Sequence, residues 1–209
     1  MADQLYLSLW FPNFRLAALP EKLSAVLQQL AKVSGNARIS ASSAVPFSWS
    51  ESPVFQRIFV NDDRSEESDD SLPGNAVAEA TELLHDDTAY EFEAKWQLWY
   101  PEEAAEGLEA TWRLQPATVK VAGFGPEFDD NSYEQNGHIR VDFGLDTPWV
   151  QDESELDDDG RKRLQQNVEM LLAFTLSVEK HCGISSRLLW TESGEPLAEK
   201  LIARLQRVN

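Results

Sequence analysis

Residues 89–100 read AYEFEAKWQLWY, and this stretch limits the fold more than any other part of the chain. Tyr90, Phe92, Ala94, Trp96, Leu98 and Tyr100 form one alternating set, and Glu91, Glu93, Lys95, Gln97 and Trp99 form the other. Only an element of period two separates the residues this way. The stretch is therefore a strand, about 40 Å long if fully extended at roughly 3.3 Å per residue. Its first face belongs in a core. Its second face carries charges and a lone tryptophan, and what that face meets bears directly on function.

The flanking sequence supplies further strands and helices. LYLSLWF places Leu5, Leu7, Leu9 and Phe11 on one side of a first strand. Pro20 suits the first turn of a helix, Leu23, Val26, Leu27, Leu30 and Val33 mark one helical face, and Gly35 is placed to cap its end. ARISASSAVPF follows as a small-residue strand with Ile39, Ala41, Ser43, Val45 and Phe47 on one side, then a turn over 49–53 and a strand VFQRIFV. Residues 61–75 hold six acidic residues, one arginine and a Pro-Gly pair without apolar periodicity, which predicts a mobile acidic loop. A short helix over 76–85 leads into the long strand. The order βαββαβ predicts a ferredoxin-like N-terminal half, about 1–100.

Beyond Tyr100, PEEAAEG reads as a turn, and LEATWRL returns as a hairpin partner with Leu108, Ala110, Trp112 and Leu114 on one face. Pro116 is expected to break this strand before ATVKVAGF. HIRVDFGL directs Ile139, Val141, Phe143 and Leu145 one way. Asp157 or Asp158 caps a long, largely buried helix lined by Leu164, Val168, Leu171, Thr175, Val178 and Cys182 and ended by Gly183. SRLLW is a short strand, and EPLAEKLIARLQRV a last amphipathic helix. The sum is an α+β protein with an antiparallel or mixed sheet and helices mainly on one face. Residues 1–209 read as a single fused domain, with 101–209 extending the sheet and adding helices.

Composition narrows function. Thirty-six Asp and Glu against 18 Lys and Arg give a formal charge of −18, which opposes binding to nucleic acid or anionic membranes, since both depend on clustered Lys and Arg. The N-terminal segment has no positive region and too short an apolar run for a secretory signal. The most apolar window, VEMLLAFTLSV, falls far short of the roughly 20 residues of a membrane span. The one cysteine excludes an intrachain disulfide, and with the other features it leads to an expectation of a cytoplasmic protein.

The motifs of familiar chemistry are missing. CxxC, HExxH, GxSxG and GxxxxGK[ST] do not occur. His181 and Cys182 are adjacent at a helix C-terminus, where the dipole disfavours a thiolate, so a structural cysteine is expected. The densest polar constellation holds Asp129, Asp130, His138, Asp142 and Asp146. Counted from Asp129 as a calcium loop, position 5 is Tyr133 and position 6 is Glu134, which does not fit an EF-hand. Asn136-Gly137 reads as a tight turn, and Arg140 is placed to satisfy Asp142 two residues along the same strand face.

Two functional readings follow. The first is a non-catalytic binding or regulatory module for a protein partner, without a cofactor, using the face of Glu91, Glu93, Lys95 and Trp99. The alternative is a metal-dependent enzyme or small-molecule binder using Asp129, Asp130, His138 and Asp142.

Overall fold

The computed structural model describes residues 2–60, 69–102, 111–130, 132–150 and 156–193. Seven strands form one sheet: β1 (Gln4–Trp10), β2 (Ile39–Pro46), β3 (Phe55–Ile58), β4 (Thr88–Glu102), β5 (Thr111–Phe124), β6 (Ile139–Leu145) and β7 (Ser186–Thr191). The helices are α1 (Leu19–Ser34), α2 (Pro73–Ala80), the single turn α3 (Ser132–Gln135) and α4 (Asp158–His181). Strand order is β3-β2-β4-β5-β6-β1-β7, and every neighbouring pair is antiparallel. The chain is thus α+β, and its sheet is antiparallel rather than mixed. Among the described residues no helix is long and apolar enough to cross a membrane.

The ferredoxin-like half is not the observed arrangement, because β1 pairs with β6 and β7 instead of with strands of its own half. The antiparallel neighbours β4, β5 and β6 follow one another in sequence and occupy the positions beside β4 that β1 would need. The result interleaves both ends of the chain. β3 and β4 run the same way on either side of β2 and are joined through α2, while β6 and β7 run the same way on either side of β1 and are joined through α4.

One hydrophobic cluster unites Leu5, Leu7, Leu9, Tyr90, Phe92, Trp96, Leu98, Val121 and Val141 of the sheet with Leu23 and Leu27 of α1, Val77 of α2 and Leu171, Phe174 and Val178 of α4. Gly123 lets α1 approach β5, since a Cβ there would lie 2.6 Å from Leu19 Cδ1. A second, smaller cluster joins Val45, Ala89, Ala122, Phe124 and Phe128. It covers one end of the second sheet face, with Trp49 packed edge-on against Phe124 and Phe128.

Several local expectations are corrected. A register shift between Ile39 and Ala41 changes the phase of β2, so Ser42 and Ala44 are buried while Phe47, in a left-handed conformation past the strand, is exposed. Gly144, at φ 78°, has the same effect in β6 and turns Leu145 outward. Trp112 pairs with Pro101, which puts it on the second face of the sheet, where Trp190 also lies opposite Tyr6. Within the predicted acidic loop, 61–68 lies outside the described residues. Residues 69–75 are a 3-10 turn and the start of α2, because Pro73 suits the first helical position. The final predicted helix also lies outside the described residues.

Pro116 does not break β5. Trp99, opposite Leu114, turns its backbone N–H and C=O away from β5, and Gln97 opposite Pro116 has the same phase. The missing proline N–H therefore faces the outer side of β5, where pairing with β6 begins only at Lys120.

β4 and β5 thus run past their neighbours as a two-stranded ribbon. Pairing of β2 with β4 reaches only Ile39 opposite Ala94, leaving the rest of the β4 edge open. Asn167, fully buried on α4, closes it. Its Oδ1 accepts from the Trp99 N–H at 2.9 Å, and its Nδ2 donates to the carbonyls of Trp99 and Pro148, both at 2.8 Å. The Asn167 carbonyl accepts from Trp149 Nε1 at 3.2 Å. Leucine at this position fills similar space but leaves the part-buried N–H and carbonyl of Trp99 and the buried carbonyl of Pro148 without this partner, so Asn167→Leu is expected to lower stability by about 3 kcal/mol and Tm by roughly 6–12 °C. Urea unfolding and calorimetry check this; a change below about 1 kcal/mol would remove the assigned role.

Candidate functional site

A concavity forms where β2, β3 and α2 meet the start of β4. β2 leaves the sheet at Pro46, the chain reverses, and β3 returns as the sheet edge. α2 ends at Ala80, where the Thr81 hydroxyl donates to the Val77 carbonyl at 2.7 Å. The Tyr90 hydroxyl fixes the next turn by accepting from the His85 N–H at 2.9 Å and donating to the Leu83 carbonyl at 2.8 Å. Between these segments lies a cavity of about 450 Å³, a size suited to a side chain or small ligand.

Its floor is apolar: Ala44, Pro46, Phe55, Ala80 and Tyr90. Val54 and Leu83 stand at its mouth, 72% and 74% exposed, and Ile58 on the adjoining edge strand is 70% exposed. Acidic groups occupy the rim. Arg57 engages Glu79 and also Asp70, the latter at 2.7 Å, whereas Glu82 and Asp87 have no cationic partner among the described residues. The arrangement can hold an apolar group and attract a positive charge beside it.

The long strand's second face is differently built. Lys120 on β5 bridges Glu91 and Glu93 of β4 at 3.2 and 3.4 Å. Burial lowers the pKa of this ammonium, but the two carboxylates outweigh that effect and hold it above the usual lysine value. Lys95 donates to Thr118 Oγ1 at 2.6 Å. Trp99 lies beneath Arg163 of α4, with the guanidinium carbon 3.9 Å from the ring centre. Glu91, Glu93 and Lys95 thus share one ladder of internal contacts, and Trp99 continues it under a helix side chain.

The 129–146 residues are spread apart. Asp129 and Asp130 are exposed in a turn, with φ of 46° and 37°. His138 and Asp142 are four residues apart along β6, about 13 Å by the strand rise. Asp142 accepts from Gln4 Nε2 at 2.6 Å and from the Gly144 N–H at 2.8 Å, and Asp146 accepts from the Asp3 N–H at 2.9 Å. Arg140 does not pair with Asp142; its guanidinium lies between the rings of Tyr6 and Phe124. Among the described residues no three His, Cys, Asp or Glu side chains stand together as a metal site. Cys182 is buried, and burial raises its thiol pKa to about 11, leaving it unreactive.

Sequence reasoning missed the groove because its signal is exposure. Val54 and Ile58 have the residue types of a buried strand, yet one precedes β3 and the other ends it at the sheet edge, and both are exposed. Comparison with family models, curated proteins and solved structures returns no match for this chain.

His138 gives a test of the local geometry. Its Nδ1 accepts from the Phe11 N–H at 3.0 Å, and its ring packs 4.3 Å from Phe14 and 4.5 Å from Tyr133. Burial lowers its pKa to about 4 from 6.5. The unfolded chain therefore takes up this proton near pH 6.5 and the folded chain only near pH 4. The effect is absent above the upper value and costs stability as pH falls through the window, by at most about 3 kcal/mol. His138→Asn, which keeps an acceptor for Phe11, is expected to show a shallower loss between pH 7 and 4; identical pH slopes by denaturant titration would contradict the assignment.

Proposed function

We propose that this chain is a non-catalytic binding module for a protein partner, and that it takes an extended basic segment with an apolar anchor into the groove beside β3. One observation carries the reading: the groove combines an apolar floor and mouth with acidic groups that lack cationic partners, in a chain of net charge −18. Apolar burial supplies affinity, while the rim selects positive partners and speeds their approach. Among the described residues β3 is the edge of the sheet, and its outer side adds backbone donors and acceptors of the kind an extended peptide pairs with.

The groove is favoured over the Glu91–Trp99 face because Lys120 already bridges Glu91 and Glu93, and Arg163 covers Trp99. In this reading the long helices lie together over one face of the sheet, and the partner approaches from the β3 edge. A cytoplasmic setting accords with a single buried cysteine. The charge disfavours nucleic acid and anionic lipid as partners.

A fluorescein-labelled nine-residue peptide alternating Leu and Lys is the probe, with a Leu and Glu peptide as its counterpart. The Lys peptide is expected to bind and the Glu peptide to fail. Replacing both Val54 and Leu83 by Ser leaves the charge unchanged, so it separates groove binding from general attraction to an acidic surface; it should weaken anisotropy-measured binding about tenfold or more. Glu82→Lys with Asp87→Lys should weaken it comparably and reduce its salt dependence. Affinity unaffected by the serine pair would refute the groove as the docking site.

A further inference from the structure

Arg140 stands out on the second sheet face. It pairs across β6 and β1 with Ser8, and Tyr6 and Trp190 occupy the next row of the same face. Its guanidinium carbon lies 5.1 Å from the Tyr6 ring centre and 5.3 Å from that of Phe124, so two aromatic rings fix its position. Its Nε is buried without a hydrogen-bond partner.

No carboxylate among the described residues forms an ion pair with it. Asp142 is committed to Gln4 and Gly144, and Glu91 to Lys120. In a chain with 36 acidic and 18 basic residues, an arginine held between rings and in no ion pair among the described residues needs a reason. A buried N–H without an acceptor is destabilising, and the surrounding fold sustains that cost.

We propose that Arg140, with Tyr6 and Trp190, forms a binding site for an aromatic monocarboxylate. A guanidinium presents planar, paired donors that match a carboxylate. The Tyr6 and Trp190 rings, 4.7 Å apart between centres, provide a surface on which an aromatic body stacks. Trp190 is held in place by its indole N–H, which donates to Ser8 Oγ at 3.0 Å. The carboxylates of Asp142 and Glu91 on the same face repel a second negative charge on the ligand, which selects a monoanion over a phosphate dianion. This site is independent of the β3 groove.

Benzoate is the probe, benzamide its neutral isostere, and inorganic phosphate the competing anion class. Proton–nitrogen NMR of the intact chain follows the Arg140 Nε–H and the backbone amides of Tyr6 and Ser8. Benzoate should produce a saturable shift at these signals, and benzamide none. Arg140→Lys should weaken binding about tenfold, because the ammonium lacks the planar donor pair, and Arg140→Met should abolish it. Equal shifts with benzamide, phosphate binding as tight as benzoate, or retention in Arg140→Met would each overturn the proposal. The wild-type Nε–H signal decides the matter even if a variant fails to fold.

Discussion

A buried side-chain amide holds the open edge of the longest strand. β4 outruns β2, and an unpaired strand edge inside a protein leaves backbone groups that must find partners. Asn167 presents one acceptor and two donors in the spacing a neighbouring strand would offer, and it ties Trp99 and Pro148 to the same point on α4. The position of α4 follows from that contact. Once seated, α4 brings Phe174 against Trp96 and Phe143, and its C-terminus leads into β7, which pairs with β1.

The second face of the long strand has three regions with different physics. At one end it is dry, covered by Phe128 and the segment around it. In the middle it carries Lys120 between two glutamates and Arg140 between two rings, so charges are held in place by neighbours of the same sheet. Toward the ribbon, Trp99 is capped by Arg163. Glu82 and Asp87, beside the apolar groove at the β3 edge, stand outside these contacts.

Much of the architecture was legible in the sequence because it rests on local periodicity and punctuation. The alternation of β4, the cap of α4 by Asp157, whose carboxylate accepts from the Gly160 N–H at 2.7 Å, and the left-handed Gly35 that ends α1 all follow from neighbouring residues. Strand order was not legible, since the alternation of β1 suits any antiparallel neighbour equally well. Phase errors arose where one residue breaks the period: the register shift near Ile39 and the positive φ of Gly144 each move later side chains to the other face. The roles of two polar residues escaped for a related reason. Asn167 looks like any polar helix residue, and Arg140 looks like the natural partner of Asp142, until the fold shows which backbone groups and rings surround them.

The most direct measurement is native-state hydrogen exchange at the Trp99 amide. That amide lies beyond the last residue pairing of β2 with β4, so a ribbon edge open to water would exchange it through small local fluctuations. If the Asn167 amide closes the edge, Trp99 should exchange only through openings as costly as those that release core amides such as that of Phe92. Exchange at the rate of an unpaired edge amide, with Phe92 still protected, would contradict the account.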